Sequence, residues 1–533
     1  MAPLVSVDNL RVTFPGPIEA VRGISFEIEP GECVAIVGES GSGKSVTART
    51  LVGLAGDSAV VRADRLVVDG RDTNGFTDRD WRRLRGRATG LVLQDALVSL
   101  DPLNTVGQEI GEVLRTHRIG TAADRSARVT ALLSSVHVPE PELRARQYPH
   151  QLSGGLRQRA LIASAIAADP PLLIADEPTT ALDVTVQAQL LRLLAERRAA
   201  GSALLLVSHD LAVVAGIADR VLVMRAGEIV EQGPAATLLS APSHPYTRLL
   251  LAAVPTAASR GQRLSVVERT PLPPRAVAPS QVVLSATGVH KHYGARHAVN
   301  DVSFALARGE TLGVVGESGS GKTTLARIAL GLVEPSAGAV HLGDVPWTGV
   351  PERRRRPHRR RLQVVSQDPL SSFDPRYTVE QLVGEPLALR GRARRDRVVE
   401  LLERVGLGAA DLRRHPRRMS GGQRQRVAIA RAVGPRPDVL VCDEPVSALD
   451  VSIQAQVLDL LADLQAADGT ALLFISHDLG VVHHLADRVL VMHDGRVVEE
   501  GPVTSVFTAP AHDYTRALLA ALPTLEPAQR GRP

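Results

Sequence analysis

The stretch VAIVGESGSGKS at residues 34–45 decides the fold of this chain, and it recurs as LGVVGESGSGKT at residues 312–323. Each copy is an apolar run followed by G-x-x-x-x-G-K-[ST], a pattern whose backbone N–H groups surround phosphate oxygens at the start of a helix. In this pattern the lysine reaches the phosphates and the hydroxyl ligates Mg²⁺. The candidate phosphate-binding residues are Gly38, Ser40, Gly41, Gly43, Lys44, Ser45, Val46, Gly316, Ser318, Gly319, Gly321, Lys322, Thr323 and Thr324.

Three further motifs also occur twice and in the same order, which indicates a duplication of a whole domain. They are LSGGLRQR (152–159) with MSGGQRQR (419–426), ADEPTTALDV (175–184) with CDEPVSALDV (442–451), and VSHDLAVV (207–214) with ISHDLGVV (475–482). Between the copies, residues 255–282 are rich in Pro, Ser, Ala and Arg and have no sustained apolar period, which predicts a linker. We therefore expect a first domain over 1–254, a linker over 255–282 and a second domain over 283–533.

In each copy, apolar strand-like runs alternate with helical segments, which favours an α/β core with a mainly parallel sheet. The stretches near 105–147 and 378–416 lack strand-like runs and are predicted to be mostly helical inserts. The chain has no apolar run of about 18 or more uncharged residues, so the sequence predicts no membrane-spanning helix. Its N-terminus lacks the features of a secretory signal, and we expect a cytoplasmic protein.

Each copy has a buried strand that ends in two acids. Asp176 and Asp443 are candidate Mg²⁺ ligands at these strand ends. Glu177 and Glu444 follow them and point the other way along a strand, which suits a group that polarises an attacking water. Ordinary surface acids at a strand end are the alternative, and the two phosphate-binding loops make it the weaker one.

A second apolar strand in each copy is followed by a histidine, and a third by a glutamine. His209 and His477 are placed to contact a terminal phosphate, whereas a lone histidine is more often structural. Recurrence in a matching frame favours the functional interpretation. Gln94 and Gln367 close the strands GLVLQ and LQVVSQ and are candidate ligands of the metal or of a water.

The repeated S-G-G stretch precedes a helix rich in Arg and Gln. Serine is a good helix N-cap, and the glycines leave backbone N–H groups open to an anion, so the residues alone are consistent with capping or with phosphate binding. The candidate residues are Ser153, Gly154, Gly155, Ser420, Gly421, Gly422 and Gln423.

Taken in this order, the motifs resemble the ATP-binding-cassette (ABC) superfamily, over nearly the whole chain except the linker. The resemblance implies, for each domain, a P-loop core with a mainly parallel sheet, an antiparallel β subdomain and a helical subdomain. It also implies that each ATP, with Mg²⁺, lies between the P-loop of one copy and the S-G-G of the other. One site would combine Lys44, Asp176, Glu177 and His209 with Ser420 and Gly422; the other would combine Lys322, Asp443, Glu444 and His477 with Ser153 and Gly155; Phe14 and Tyr293 would stack on adenine.

Within the superfamily the sequence is similar to the ATPases of oligopeptide, dipeptide and nickel importers. The resemblance rests on YPHQLSGGLRQR (148–159), HPRRMSGGQRQR (415–426) and the tails HPYTRLLLAAVP (244–255) and HDYTRALLAALP (512–523). It implies an ATPase at the cytoplasmic face of the membrane. Its partners would be two membrane-spanning permeases and, through them, an extracytoplasmic solute-binding protein, with no nucleic acid. The cargo would be a peptide or a similar small solute.

The chain departs from the family pattern at two places. Leu156 stands where the second copy has Gln423, and Asp95-Ala96 stands where it has Asp368-Pro369. The first difference affects one S-G-G helix, and the second affects a segment that faces the membrane partner in the family. The two halves are therefore expected to differ in coupling.

Three other functions are alternatives to transport. A twin-cassette ATPase acting on ribosomes is the main alternative, although such proteins carry a charged helical linker in place of a Pro-rich one. A DNA-repair ATPase needs zinc-binding cysteines, and Cys33 and Cys442 lie in different halves outside any CxxC pair. A non-catalytic scaffold is disfavoured because no catalytic position is missing. The arginine run at 351–361 is predicted to be a solvated helix or loop, rather than an RNA-binding arm.

Overall fold

The computed structural model describes residues 2–16, 18–93, 99–179, 183–447 and 449–522. These residues form two compact units, one within the first 251 residues and the other over Ala252–Leu522. Both units contain the predicted α/β core, and the fold class is confirmed. In the described ranges no helix is long and apolar enough to span a bilayer.

The first unit is built on a six-stranded sheet in the order β11-β10-β3-β9-β8-β7, in which the edge strand β11 alone is antiparallel to its neighbour. Its central strands read CVAIV, LLIAD and ALLLV and are completely buried, as expected for parallel strands covered on both faces. A second, antiparallel sheet has the order β2-β1-β5-β6, with β4 added to β1. The strands of this unit are β1 (Val5–Phe14), β2 (Ile18–Ile28), β3 (Cys33–Val37), β4 (Val60–Arg62), β5 (Arg65–Val68), β6 (Arg71–Asp72), β7 (Thr89–Val92), β8 (Leu172–Asp176), β9 (Ala203–Val207), β10 (Arg220–Arg225) and β11 (Glu228–Pro234).

Helices cover the parallel sheet and form the insert near 105–147 that the absence of strand-like runs predicts. Two of the insert helices begin at threonines, Thr105 and Thr121, whose hydroxyls accept backbone N–H groups in capping boxes. The α-helices of the first unit are α1 (Lys44–Thr50), α2 (Asp78–Leu84), α3 (Val106–Thr116), α4 (Ala122–Ser135), α5 (Pro141–Ala145), α6 (Gly154–Ala165), α7 (Val184–Ala199), α8 (Leu211–Ile217), α9 (Ala235–Ser240) and α10 (Pro245–Ala252).

The second unit repeats this architecture. Its core sheet has the order β17-β18-β19-β14-β20-β21, again with one antiparallel edge strand, and its antiparallel sheet has the order β13-β12-β15-β16. Its strands are β12 (Ala278–Tyr293), β13 (Arg296–Arg308), β14 (Thr311–Val315), β15 (Ala337–Leu342), β16 (Val345–Pro346), β17 (Leu362–Val365), β18 (Val439–Asp443), β19 (Ala471–Ile475), β20 (Arg488–His493) and β21 (Arg496–Pro502). Its α-helices are α11 (Lys322–Ala329), α12 (Glu352–Arg355), α13 (Pro369–Ser372), α14 (Val379–Gly384), α15 (Gly391–Arg404), α16 (Gly421–Val433), α17 (Val451–Asp468), α18 (Leu479–Leu485), α19 (Val503–Thr508) and α20 (Asp513–Ala520).

Residues 253–276, here called the connecting segment, pack against the second unit. Ala253 and Leu264 are fully buried in its main hydrophobic core. The carboxylate of Asp459 on α17 accepts the backbone N–H groups of Leu264 and Ser265, both at 3.0 Å. Much of the stretch that composition indicates as a linker is therefore bound to one domain.

Arginines of the connecting segment add two ion pairs to this contact. Arg263 donates to both carboxylate oxygens of Asp463, at 3.0 and 2.6 Å. Arg275 lies 2.6 Å from an Asp487 carboxylate oxygen and also donates to the side-chain oxygen of Gln465 at 2.9 Å. Bidentate and shared geometries of this kind are the stronger class of ion pair. Ion pairs thus bind the connecting segment to the second unit, whereas a segment that packs on a core normally does so through regularly spaced apolar side chains.

A buried histidine in this contact is expected to make the stability of the second unit depend on pH. His484 on α18 is 3% exposed, and its Nδ1 lies 3.2 Å from the Ser259 hydroxyl. Burial is the main cause that lowers the pKa of His484, to about 4 in total; Asp459 opposes this shift, and Arg260, Arg269 and His483 add to it. As the pH falls, His484 therefore binds a proton at a higher pH in the unfolded chain than in the folded one. The stabilising contribution of neutral His484 is present above about pH 6.5 and is lost between there and pH 4.

We expect the second unit to lose about 2 kcal/mol of unfolding free energy between pH 7 and pH 5 from this one histidine. In a Trp81→Phe background, the fully buried Trp347 becomes the fluorescence reporter of the second unit during urea unfolding. The His484→Gln variant, which does not titrate, is the matched control. An identical loss of stability in this variant would contradict the prediction.

The arginine run at 351–361 folds as α12 followed by a 3₁₀ helix. Arg355 pairs with Glu334 at 2.7 Å and with Glu352 at 3.1 Å. Arg359 pairs with Glu352 at 2.7 Å. Acidic residues of the same unit therefore neutralise part of the run.

Candidate functional site

The two glycine-rich loops lie at the carboxyl ends of β3 and β14 and lead into α1 and α11. Gly38 has a φ of 146°, and a Cβ atom there would lie 2.1 Å from the Met224 carbonyl oxygen. Gly43 has a φ of 100°, and a Cβ atom would lie 2.4 Å from the Ala20 carbonyl oxygen. The equivalent glycines of the second loop have nearly the same values. Only glycine fits at these positions, so the backbone can approach a phosphate closely.

The loop lysines are held by carbonyl groups of their own loop. Lys44 Nζ donates to the carbonyl oxygens of Gly38 and Glu39 at 2.8 and 2.9 Å. Lys322 Nζ donates to the equivalent carbonyls at 2.7 Å each. Both lysines are only about 5–6% exposed. Burial lowers the pKa of Lys322, although the nearby carboxylates of Glu444 and Asp443 oppose this effect.

Two predicted metal ligands of the first unit, Ser45 and Asp176, are hydrogen-bonded to each other. The Ser45 hydroxyl donates to Asp176 Oδ1 at 2.7 Å, and Asp176 is fully buried. Asp176 Oδ2 accepts no hydrogen bond and faces Arg49 at 3.3 Å. A hydroxyl and a buried carboxylate with an unsatisfied oxygen form a donor set that fits Mg²⁺.

The second unit offers a similar carboxylate. Asp443 Oδ1 is buried and accepts no hydrogen bond. Burial raises the pKa of Asp443, and the neighbouring Glu444 raises it further, while Arg327 and Lys322 oppose this shift. A bound cation would satisfy this oxygen and favour the charged form. Arg49 and Arg327 were missed by the sequence argument, although an arginine one helical turn beyond the loop hydroxyl in both copies was a visible signal.

The predicted glutamates and histidines form a pair in each unit. His209 Nδ1 lies 3.3 Å from a Glu177 carboxylate oxygen, and His477 Nδ1 lies 3.2 Å from Glu444. Both glutamates have a φ of 50°, in the left-handed region that residues other than glycine seldom adopt. Each glutamate therefore follows its strand in a tight turn instead of continuing the side-chain alternation. Such backbone strain is common at functional sites.

The Glu444–His477 pair favours the charged forms of both groups. Burial alone would raise the pKa of Glu444, but the hydrogen bond and charge of His477 hold it below its ordinary value. Burial alone would lower the pKa of His477, but Glu444 raises it above its ordinary value. At neutral pH the carboxylate is therefore ionised and can accept a proton or a hydrogen bond from water.

The S-G-G motifs begin α6 and α16, and each serine is the N-cap. The Ser420 hydroxyl accepts the Gln423 N–H at 3.3 Å, and the Gln423 side chain accepts the Ser420 N–H at 3.2 Å. In the first unit the Ser153 hydroxyl accepts the Leu156 N–H at 3.4 Å, and leucine cannot return the second bond. The Leu156 departure thus removes the second bond of a capping box, and one such hydrogen bond contributes about 1 kcal/mol net.

The remaining predicted residues are more scattered. Tyr293 ends β12 and is 52% exposed, and Phe14 ends β1 and is half-buried against the core of the first unit. Gln367 follows β17 and is exposed, and Gln94 lies outside the described residues, as do Asp95 and Ala96. Each unit by itself brings together its loop, acids and histidine. The pairing of each loop with the S-G-G of the other copy remains a prediction.

Comparison with known families identifies both halves. The model of the family described as ABC transporter matches residues 21–180 and 299–447. The model described as oligopeptide/dipeptide transporter, C-terminal region, matches residues 230–279 and 498–533. The matches contain the loops, S-G-G motifs and paired acids of both units.

Three relatives are similar over almost the entire chain. The oligopeptide transport ATP-binding protein OppD of Mycobacterium tuberculosis is 43% identical, with 100% of this chain and 100% of the relative covered. The peptidoglycan transport ATP-binding protein YejF of Agrobacterium fabrum is 44% identical, with 98% and 97% covered. The glutathione import ATP-binding protein GsiA of Salmonella typhimurium is 42% identical, with 99% and 91% covered. These matches contradict the ribosome-associated alternative.

The matches also confirm the ATPase activity that the motif order predicts. The family model covers both glycine-rich loops, and the three relatives are transport or import ATP-binding proteins. The chain therefore belongs to the ABC transporter family and is a transport ATPase that carries two ATP-binding cassettes in one polypeptide.

Proposed function

We propose that this chain is the motor subunit of an ABC importer that takes up peptides or a similar small solute. The observation that carries the proposal is that each half combines a complete Glu–His pair with its own match to the oligopeptide/dipeptide C-terminal region. The printed names of the relatives, which refer to oligopeptides, glutathione and peptidoglycan, support the cargo class.

In the proposed reaction the residues of each loop bind and orient ATP. Lys44 and Lys322 exchange their loop carbonyls for phosphate oxygens, and Glu177 and Glu444 orient the attacking water. Ser45 and Asp176 in the first half, and Thr323 and Asp443 in the second, would hold Mg²⁺, which would neutralise charge on the phosphates. His209 and His477 hold the glutamates in position and face the terminal phosphate.

We further propose that the two cassettes close on each other around two ATP molecules. Each ATP then contacts the P-loop of one cassette and the S-G-G serine, Ser420 or Ser153, of the other. The helix N-termini at these serines supply N–H groups to the phosphates. Closure moves two membrane-spanning permeases at the cytoplasmic face of the membrane, and an external solute-binding protein delivers the cargo to them.

Affinity purification tests this proposal. The tagged Glu177→Gln/Glu444→Gln chain, isolated with ATP and Mg²⁺ from gently solubilised native membranes, is expected to carry two polytopic permeases identifiable by mass spectrometry. The variant is used because ATP remains bound when hydrolysis is blocked. The unmutated chain with ADP is the control and is expected to recover less permease. Recovery of ribosomal proteins without permeases would contradict the proposal and leave the ATPase chemistry intact.

Uptake measurements test the cargo class. In cells that lack the chain, the unmutated chain is expected to restore uptake of labelled short peptides, and the Glu177→Gln/Glu444→Gln chain is not. Restored growth on another solute with no peptide uptake would keep the motor role and overturn the peptide assignment.

A further inference from the structure

Each P-loop is hydrogen-bonded to a tyrosine that lies about 200 residues later in the chain. The Glu39 N–H donates to the Tyr246 hydroxyl at 3.1 Å. The Glu317 N–H donates to the Tyr514 hydroxyl at 3.0 Å. The tyrosines belong to α10 and α20, within the tail motifs HPYTR and HDYTR. Because the contact is repeated in both units, it is a regular part of this fold.

The loop residue bound by the tyrosine also holds the P-loop lysine. Glu39 donates its N–H to Tyr246 and accepts Lys44 Nζ at its carbonyl, at 2.9 Å. Glu317 has the same two contacts in the second unit, with Lys322 Nζ 2.7 Å from its carbonyl. The tyrosine therefore fixes the stretch of backbone from which the lysine moves to a phosphate.

A carboxylate and a histidine place each tyrosine. In the first unit the Glu231 carboxylate accepts the N–H groups of Ser243 and His244 at 2.7 and 3.1 Å. His244 Nδ1 in turn accepts the Tyr246 N–H at 3.1 Å. Although burial alone would raise it, the pKa of Glu231 is held below its ordinary value by the Thr247 side chain and by the hydrogen bonds from these two amides.

The second unit repeats this arrangement with different flanking residues. The Glu499 carboxylate accepts the N–H groups of Ala511 and His512 at 2.8 and 3.1 Å. His512 Nδ1 accepts the Tyr514 N–H at 3.1 Å. The carboxylate–histidine–tyrosine arrangement is thus retained where the surrounding sequence changes from HPYTR to HDYTR.

The tyrosine rings are packed by the last residues of β10 and β20, the strands next to the antiparallel edge strands. The Arg225 guanidinium lies 4.9 Å from the centre of the Tyr246 ring. In the second unit the His493 ring stacks on Tyr514 with centroids 4.0 Å apart. Burial raises the pKa of Tyr514 to about 12, so the phenol is neutral at physiological pH. The ring contacts differ in chemistry, whereas the hydroxyl contact with the loop is the same.

We propose that Tyr246 and Tyr514 are positioning residues that fix the P-loop backbone for ATP binding, and that they link the oligopeptide/dipeptide C-terminal region to the nucleotide site. The hydroxyl is the part of the side chain that matters, since phenylalanine would preserve the ring packing. The proposal rests on the ATPase activity alone and does not depend on solute import, so its failure leaves the proposed cargo and permeases untouched.

The test is the full-length Tyr246→Phe/Tyr514→Phe chain. Loss of one hydrogen bond at each loop is expected to raise the KM for ATP and the Kd for a fluorescent ATP analogue by about three- to tenfold. The kcat is expected to stay within about twofold, because the hydroxyl contacts the loop backbone, at the Glu39 or Glu317 N–H, and the Glu–His pair is unaltered. A simple loss of stability would lower the melting temperature without this separation of KM from kcat.

Tyr377→Phe is the matched control, because Tyr377 packs on the core of the second unit outside the P-loop. An unchanged KM and Kd in the double variant, or an equal rise in Tyr377→Phe, would overturn the proposal. If the double variant fails to fold, the two single variants are measured. An unchanged Kd at the altered site of a folded single variant overturns the assignment for that loop.

Discussion

Replacing Glu177 and Glu444 together with glutamine is expected to lower ATP turnover by about 10²–10⁴-fold, the usual contribution of a positioned general base. Each carboxylate lies beside its histidine, at 3.3 and 3.2 Å, in a strained turn at the end of a buried strand. Glutamine retains the shape of the side chain and cannot accept the proton. ATP binding is therefore expected to persist, and phosphate release under saturating ATP measures the loss.

The control for this experiment is another glutamate that faces a histidine. Glu196 lies 3.6 Å from His137 at the surface of the first unit, away from the P-loop. Glu196→Gln is expected to leave turnover unchanged. Undiminished hydrolysis in the Glu177→Gln/Glu444→Gln chain would remove the role assigned to both glutamates.

Replacing Lys44 and Lys322 with alanine is expected to weaken ATP binding by about 10- to 100-fold, as the loss of a charge-assisted hydrogen bond of about 1.5–3 kcal/mol implies. Both ammonium groups are buried, and each rests on two loop carbonyls. Isothermal titration with a non-hydrolysable ATP analogue measures the change.

Arginine at the same positions is expected to restore little of the binding. The guanidinium group of arginine is planar and larger than an ammonium group, so it cannot fit between the two loop carbonyls and the phosphates. Arg128→Ala is the control, since Arg128 also donates to a main-chain carbonyl, that of Ala167, and lies outside the loop. Full ATP affinity in the alanine double variant would show that these lysines do not bind phosphate.

The core and the P-loops could be predicted from the sequence because their constraints are local. An apolar run that leads into a glycine-rich loop fits few structures other than a buried strand followed by a phosphate-binding turn. The positive φ of Gly38 and the burial of Asp176 follow from that structure. The Glu–His pair could be predicted as a set of residues, but the left-handed turn at Glu177 could not. That conformation depends on the packing around the strand end.

The connecting segment could not be predicted for a different reason. Its contact with the second unit depends on one buried leucine, Leu264, and on arginines whose acidic partners lie about 200 residues away in the sequence. Such pairs leave no periodic signal in the segment itself. The tyrosine contacts of the P-loops could not be predicted for the same reason, although the sequence shows that HPYTR and HDYTR are similar tails.

The packing of the connecting segment determines where this polypeptide can be divided into two chains. A second cassette produced from residue 283 would lack Ala253 and Leu264, which are fully buried in its main core. It would also expose the carboxylate of Asp459 that two segment amides now satisfy. A viable pair of separate subunits therefore requires a break before Ala253, so that the second chain carries the segment as its own N-terminal arm.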